Sequence, residues 1–322
     1  LSALAWASAG SPAAPPPGLL PGLLPRDHFE RLESVLVDLA WPAGAAFDAA
    51  GRLWVVEAEA HRVRAFGPEG AAGAVLGARG TGPGELRRPT GVACADGAVF
   101  VADTGNHRVV VFAADPGSAP SSIGGPGDAP GGLFEPRGVA VGAEHVFVAD
   151  TGHDRVAVFT RSGEFVRSIG SRGVEPGRFR APVGCALDRR GSLYVADSLN
   201  HRVQKLHPGG TPLFAFGGPG PHPGLFQEAA GLAYHDGHVF VADRFNHRVQ
   251  VLDVQGRLRF AFGEPALDAG RADGRLFAPS AVAVSLDGSR AAVCEPLEGR
   301  VQVFERTDSK SEHRDDARPE GL

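Results

Sequence analysis

Apolar and polar positions alternate in short runs along most of the chain, and the runs recur with a nearly constant period. In the clearest copy, from Val99 to Phe112, the chain reads VFVADTGNHRVVVF. An apolar run ends at an acidic residue, a short polar turn follows, and an arginine opens a second apolar run. Because successive side chains of a strand point to opposite faces, this pattern predicts two strands joined by a tight turn. Further copies begin at Leu53, Val146, Leu193, Val239 and Ala291.

The acidic residue of each copy, called the anchor below, fixes the period of the repeat. Successive anchors are 46, 47, 47, 46 and 52 residues apart. A period of this length with strand patterning, punctuated by Gly and Pro in every unit, is typical of β-propeller blades and excludes a helical solenoid. The anchors are Glu57, Asp103, Asp150, Asp197, Asp243 and Glu295.

Each unit carries further strand signals on either side of this hairpin. A short apolar segment, usually opening with Pro-x-Gly, precedes the hairpin, and a segment such as EFVRSIG from Glu164 to Gly170 follows it. The last unit lacks this final segment after Phe304, whereas residues 29–39 have a strand pattern without a partner. We therefore expect the N-terminal strand to complete the last blade, because closing the ring removes an exposed sheet edge.

The Val-Ala-Asp core, the Asn-His-Arg-Val that follows it and the closing Phe-Gly resemble the NHL-repeat family over roughly Phe29 to Phe304. The resemblance implies an all-β fold: a six-bladed β-propeller of NHL repeats, which we place at residues 29–306 with the ring closed by the N-terminal strand. A polar tail at residues 307–322 is expected to be disordered, because its composition is strongly charged.

Residues 1–28 form an Ala/Pro-rich leader or linker. The small residues Ala7, Ser8 and Ala9 after an apolar stretch suit a truncated signal peptide, and a linker from another domain is the alternative. The first case predicts a secreted or periplasmic protein, and the second predicts a cytoplasmic one. No apolar stretch is long enough to span a membrane, and we expect a monomer.

Every anchor is followed five residues later by an arginine, which places the two at the ends of one hairpin turn. We expect the two side chains to pair in each unit and to build the repeat, so that function lies where the units differ. The predicted pairs are Glu57–Arg62, Asp103–Arg108, Asp150–Arg155, Asp197–Arg202, Asp243–Arg248 and Glu295–Arg300.

Histidines in the turns supply one imidazole per blade, too far apart around the ring to converge on one ion. Cys94, Cys185 and Cys294 occupy strand positions where other repeats carry Val or Ala, and they have no metal-binding spacing. We therefore predict no metal, no cofactor and no catalytic residue.

The middle residue of each Pro-x-Gly should lie close to the propeller axis. These residues are Ala43, Thr90, Arg137, Val183, Ala230 and Ser280. Among them Arg137 alone is charged, and a guanidinium there would suit a carboxylate or phosphate. The other candidates for a ligand-binding face are Arg87, Arg88, Arg178, Arg180, Arg244 and Phe245.

Three classes of function remain open. The predicted one is a non-catalytic binding or scaffold propeller that engages a protein, a glycan or an anionic small molecule through one loop face. The enzyme alternative is a metal-assisted lyase or hydrolase that resembles peptidylglycine amidating lyase. That family carries zinc-binding histidines at several Pro-x positions, which are absent here, whereas Arg244 matches one of its active-site arginines by place. RNA binding is the third class, although Phe179 is the only aromatic residue among the loop arginines.

Overall fold

The structure, a computed structural model, describes residues 28–113, 118–265 and 274–307. Within these residues the chain forms six four-stranded antiparallel sheets. The innermost strand of each sheet contacts the innermost strands of both neighbouring sheets, so the sheets form a closed ring. The architecture is a six-bladed β-propeller, which confirms the predicted all-β fold. The segments predicted as leader and tail lie almost wholly outside the described residues.

Within each blade the four strands follow one another from the axis outward. Blades 1 and 2 consist of Pro42–Phe47, Leu53–Glu57, Arg62–Phe66 and Ala72–Leu76, then Val92–Ala95, Ala98–Asp103, Arg108–Ala113 and Ser121–Ile123. Blades 3 and 4 consist of Pro136–Val141, His145–Asp150, Arg155–Thr160 and Phe165–Ile169, then Pro182–Leu187, Leu193–Asp197, Arg202–Leu206 and Pro212–Gly217. Blades 5 and 6 consist of Ala229–His235, His238–Asp243, Arg248–Asp253 and Leu258–Phe262, then Ala281–Val284, Arg290–Glu295, Arg300–Thr307 and His28–Leu36.

Short elements connect these strands. Two small parallel pairs join Gly125–Pro126 to Gly132–Leu133 and Glu264–Pro265 to Arg275–Leu276. In blades 2 to 6 the residues after the anchor form one turn of 3-10 helix, and the residue after that turn has a left-handed backbone. These helices are Thr104–Asn106, Thr151–His153, Ser198–Asn200, Arg244–Asn246 and Pro296–Glu298.

The N-terminal strand closes the ring as predicted. It pairs antiparallel with the strand Arg300–Thr307, with Leu32 opposite Phe304. Phe29 is 3% exposed and meets Phe240 of blade 5 edge to face, with ring centroids 5.6 Å apart. The strand therefore belongs to the sheet of blade 6 and also packs against blade 5.

The hydrophobic core is divided into six clusters, each lying between two neighbouring blades. Between blades 1 and 2, for example, the buried Trp54 packs with Leu86 and Val101. Cys185 and Cys294 are buried members of such clusters and Cys94 packs against one, as expected for small apolar residues. Each blade is therefore held by apolar contacts with its two neighbours.

The glycine of Pro-x-Gly is needed because the innermost strands approach closely around the axis. A Cβ added to Gly91 would collide with the carbonyl oxygen of Arg137 in the next blade, and one added to Gly138 would collide with that of Val183. Both obstacles are backbone atoms, which cannot move aside without shifting a strand. The motif thus sets how tightly the blades close around the channel.

All six predicted pairs of anchor and arginine are present, with N–O distances of 2.7–2.9 Å. Every anchor side chain is fully buried. Each also accepts a backbone N–H from the loop that enters its own blade, as Asp103 accepts that of Arg87 at 2.6 Å. The anchors therefore join the hairpin turn to the loop beside it.

The turn histidines link neighbouring blades. His61 Nδ1 accepts the N–H of Arg88 in the loop that enters the next blade, and His107 accepts that of Glu135, both at 3.0 Å. In blade 3 the same place is occupied by Asp154, whose carboxylate accepts the N–H of Ala181 at 2.6 Å. Within the described residues no group of three or more His, Cys, Asp or Glu could hold a metal ion.

Candidate functional site in the central channel

A cavity of about 160 Å³ lies at the axis, where the innermost strands begin. The middle residues of all six Pro-x-Gly positions line it, which is the placement predicted from the sequence. Trp41, Glu228, Arg244 and Pro296 complete the wall at the side of the anchor turns. The cavity is therefore bounded mainly by small apolar side chains and backbone, with a few large polar groups.

Among the described residues, three charged side chains line this cavity: Arg137 from blade 3, and Glu228 and Arg244 from blade 5. Nη1 of Arg244 donates to Oε1 of Glu228 at 3.2 Å. The Nε atoms of Arg137 and Arg244 are buried and have no hydrogen-bond partner among the described residues. Two guanidinium groups against one carboxylate give the lining a net positive charge, with two buried donors available to an acceptor.

Arg244 stands where three other blades use a hydroxyl to join their neighbours. The residue directly after the anchor is Thr104, Thr151 or Ser198 in blades 2, 3 and 4. Each hydroxyl donates to a backbone carbonyl at the start of the next blade's innermost strand. The acceptors are the carbonyls of Pro136, Pro182 and Ala229. In blade 5 this link is replaced by a guanidinium that faces the channel.

Glu228 also departs from the pattern of its position. The residue before Pro-x-Gly has φ between 45° and 61° in the five other blades, but Glu228 is not in this left-handed region. Its carbonyl accepts the N–H of Arg244 at 2.9 Å, and its carboxylate accepts from the guanidinium. Two contacts between the same residues therefore fix the Arg244 side chain at the edge of the cavity.

Neutral polar groups of the lining are already engaged between blades. The hydroxyl of Thr90 lies 2.7 Å from that of Thr104, and the Ser280 hydroxyl donates to the carbonyl of Ala43 at 3.1 Å. Burial raises the pKa of the Cys185 thiol to about 12, so this thiol stays protonated at neutral pH. Among the described lining residues, the arginines and Glu228 are thus the groups available for chemistry with a ligand.

The other predicted arginines lie outside the cavity. The guanidinium of Arg88, at 66% exposure, pairs with Glu59 at 3.1 Å. Nε of the exposed Arg178 lies 3.7 Å from a carboxylate oxygen of Glu175. The side chains of Arg87 and Arg180 are also exposed, and their backbone N–H groups donate to anchor carboxylates. These side chains belong to the outer loops, and the structure does not bring them together with Arg137 and Arg244.

Phe245 lies next to the cavity without lining it. Its ring is 51% exposed, and the guanidinium carbon of Arg244 lies 5.3 Å from the ring centroid. A cation above an aromatic face is attracted to it, so Phe245 helps to hold Arg244 in place.

Sequence reasoning missed Trp41, Glu228 and the hydroxyl links. A signal existed for the links, because Thr, Thr and Ser follow the anchors of three successive repeats and Arg breaks that series. Glu228 had a weaker signal, since its strand opens with Ala229 in place of proline.

The geometry defines the class of protein, a six-bladed β-propeller with a charged central cavity. The NHL repeat model matches residues 86–112, 179–206 and 226–252, which fall in blades 2, 4 and 5. The chain is therefore a six-bladed β-propeller with NHL repeats in three of its blades. A search of curated protein sequences finds no match. Among the described residues, no helix combines the length and the apolar character needed to cross a membrane.

Solved structures with a similar fold come from an enzyme, a protein of unknown function and a protein complex. A virginiamycin B lyase from Staphylococcus aureus with quinupristin is 12% identical, with a TM-score of 0.60, covering 84% of this chain and 98% of that one. A Bacteroides thetaiotaomicron protein of unknown function is 16% identical, with a TM-score of 0.64, covering 86% and 73%. A chain of a nidogen/laminin complex is 16% identical, with a TM-score of 0.56, covering 75% and 84%. At these identities the likeness concerns the fold alone.

Proposed function

We propose that this propeller is a binding module that holds an anionic group, a carboxylate or a phosphate, in its channel through Arg137 and Arg244. The observation that carries the proposal is the pair of buried Nε donors without a partner in the described part of the chain. A buried donor left unpaired costs about 1–3 kcal/mol. A bound anion that accepts from both arginines would remove this cost.

Charge and shape favour a single small anionic group. The lining has a net positive charge, since Glu228 offsets one of the two guanidinium groups. Guanidinium is planar and donates to both oxygens of a carboxylate or phosphate at once. Because Glu228 already holds Nη1 of Arg244 at 3.2 Å, the remaining donors of this arginine keep a defined orientation toward the channel.

The alternatives have less support from the described site. A metal-assisted lyase or hydrolase needs a set of metal ligands, and the described part of the lining offers Glu228 and no histidine. RNA binding would use stacking aromatics beside the arginines; the exposed arginines of the outer loops lie apart from the cavity. A binding role requires only the two channel arginines and Glu228, which already line the cavity.

The test is an NMR titration of full-length protein carrying nitrogen-labelled arginine. Sodium acetate and inorganic phosphate are added separately at constant ionic strength, and the side-chain Nε–Hε signals are followed. We expect the signals of Arg137 and Arg244 to shift and saturate with at least one of the two anions. Arg137→Gln and Arg244→Gln should each weaken the binding.

Arg88→Gln is the matched control, because Arg88 is exposed and pairs with Glu59 on an outer loop. Its removal should leave the titration unchanged. Shifts that stay linear with anion concentration, or that are equally large for exposed arginines, would contradict the proposed site.

A further inference from the structure

Four exposed apolar side chains lie along one half of the face that carries the anchor turns. Leu199, Phe245 and Leu297 occupy the second position after the anchor in blades 4, 5 and 6, and they are 52%, 51% and 53% exposed. Trp41, 38% exposed, lies in the loop that enters blade 1, next to blade 6 in the ring. We call these four residues the apolar crescent. Its members follow one another around the channel mouth.

The same position is occupied differently in the remaining blades. It is Glu59 in blade 1, and glycine in blades 2 and 3. A Cβ on Gly105 would collide with Arg87, and one on Gly152 would collide with Phe134, so these turns are covered by their own loops. The crescent thus spans the loops of blades 4, 5, 6 and 1, whereas Phe134, 46% exposed in the loop that enters blade 3, is stacked on His107. Isolated exposed apolar side chains are ordinary on a protein surface, but a series of them in successive blades around one opening favours an interaction site.

The size of the channel cavity limits how much of a ligand it can hold. Sites that enclose a whole small molecule measure about 300–1,000 Å³, whereas this cavity is about 160 Å³. It has room for one acidic group and a few connecting atoms. The rest of a ligand bound there must lie outside, on the surface around the mouth.

Two of the crescent residues are directly attached to the cavity. Trp41 lines its wall, and Phe245 contacts the Arg244 guanidinium that lines it. The acidic group and the apolar parts of a ligand would thus meet adjacent surfaces. Leu199 and Leu297 are aliphatic, which disfavours nucleic acid, because bases bind by stacking on planar groups.

The apolar crescent is open to solvent, which distinguishes it from a lipid-binding site. The four side chains are spread over neighbouring blades and remain a third to a half exposed, whereas an acyl chain needs an enclosed apolar slot. A peptide supplies a carboxylate and several apolar side chains spaced along one extended backbone, which fits an arc around a positively charged cavity.

We propose that the partner is an extended peptide segment of another protein, which inserts one carboxylate into the channel and places neighbouring apolar side chains on the apolar crescent. This inference rests on the proposed anion site. The carboxylate comes from an aspartate or glutamate side chain or from the C-terminus of the partner, and the experiment distinguishes these sources.

The probes are two phage-displayed libraries of random peptides, one fused through its C-terminus and one with a free C-terminus. Both are selected on the full-length protein, and enriched peptides are then synthesised and measured by fluorescence anisotropy. We expect enrichment of peptides with a carboxylate close to Leu, Phe or Trp. Enrichment in the first library identifies an acidic side chain, and enrichment restricted to the second identifies the C-terminus.

Crescent variants test where these peptides bind. Phe245→Ser and Leu297→Ser should each weaken binding about tenfold, the loss expected when one apolar contact is removed. Leu213→Ser is the control, because Leu213 has similar exposure, 46%, but lies on the outermost strand of blade 4. Leu297→Ser matters most, since Leu297 belongs to blade 6 and both channel arginines belong to other blades.

The outcomes separate the two proposals. Suppose that every crescent variant still binds acetate or phosphate, and that the enriched peptides bind both serine variants as tightly as the unmodified protein. This result would contradict the role of the crescent in peptide binding and leave the anion site intact. Failure of the anion titration in the unmodified protein would overturn the proposed function itself. A peptide partner would be contradicted if no peptide were enriched. It would also be contradicted if decanoate displaced the peptides at a lower concentration than acetate does, and if decanoate binding were weakened by Leu297→Ser as much as peptide binding is.

Discussion

Blades 2 and 5 have nearly the same turn after the anchor and use it differently. Thr104–Asn106 and Arg244–Asn246 both form one turn of 3-10 helix, followed by His107 with φ 58° and His247 with φ 56°. The distance from anchor to arginine is 2.9 Å in both blades. The backbone and the buried pair are thus the same, and the difference is confined to two side chains.

The side chains at the two positions after the anchor have different roles in the two blades. In blade 2, Thr104 donates to the next blade and Gly105 leaves room for Arg87 to cover the turn. In blade 5, Arg244 lines the channel and Phe245 is exposed beside it. The comparison teaches that positions shared by all blades hold the propeller together, while the two positions after the anchor are free to carry a binding site.

The largest expected effect comes from removing the strand that closes the ring. A chain that begins at Val37 loses Phe29 and its contacts with blade 5. Loss of a buried Phe side chain alone costs about 3–5 kcal/mol, and a domain of this size loses roughly 2 °C per kcal/mol. We expect the melting temperature to fall by at least about 5 °C, with aggregation through the exposed strand edge. A chain lacking only residues 1–27 is the control, and an equal loss in that chain would contradict the closure.

The next effect concerns an anchor. Asp103→Ala should lower the free energy of unfolding by about 3–5 kcal/mol, because it leaves Arg108 without its buried partner. It also leaves the N–H of Arg87 without its acceptor and removes one of the two acceptors of the Asn106 amide. Chemical denaturation measures the loss.

Asp96→Ala is the matched control for this prediction. Asp96 also pairs with an arginine, Arg161, but its side chain is 82% exposed, and exposed pairs contribute about 0–1 kcal/mol. Equal losses for the two variants would mean that burial does not distinguish the anchors from surface ion pairs.

The shared features of the blades were predictable from sequence because they depend on local chemistry. An acidic residue at the end of a strand and an arginine after a polar turn face each other in any hairpin of this register, and Glu57–Arg62 and Glu295–Arg300 follow the same rule as the aspartates. The placement of Arg137 at the axis followed equally from its position in Pro-x-Gly.

The candidate site was only partly predictable because its members meet through the closure of the ring. Arg137 and Arg244 lie two blades apart in sequence, and neither local pattern indicates a shared cavity. Glu228 lines the channel, and its backbone lacks the left-handed conformation that the equivalent residues adopt. Trp41 reaches the wall from the loop before the first blade. Such features depend on where the ring places each loop.

Converting blade 5 to the pattern of its neighbours tests the comparison directly. Arg244→Thr should allow a hydroxyl to donate to the carbonyl of Pro279, as Thr104 does to Pro136. We expect a gain of about 0.5–1.5 kcal/mol in stability and a loss of anion binding. In the opposite direction, Thr151→Ala should lower stability by a similar amount and leave binding unchanged. A destabilised Arg244→Thr variant would show that the arginine is structural.

The smallest expected effect is a pH dependence in blade 3, where His153 replaces the asparagine of three other blades. Burial opposes the charged ring, but hydrogen bonds from it to Asp150 and Asp128 outweigh burial and raise the pKa of His153 above 6.5. A raised pKa in the folded state stabilises the protein fully below about pH 6.5, and this contribution is lost as the pH rises through the folded value.

His153→Asn should therefore reduce the stability difference between acidic and alkaline pH. Urea denaturation at about pH 5.5, 7 and 8.5 measures this difference, with the exposed His207→Asn as the control. An unchanged pH profile in the His153 variant would contradict the contribution of the ring.

The most direct test of the central claim, that one anion contacts both channel arginines, is a double-mutant cycle. Acetate or phosphate affinity, whichever binds in the unmodified protein, is measured for that protein, Arg137→Gln, Arg244→Gln and the double variant. If both arginines bind the same group, the loss in the double variant differs from the sum of the single losses, with a coupling of about 0.5 kcal/mol or more. Purely additive losses, or the absence of any loss, would contradict a shared site in the channel.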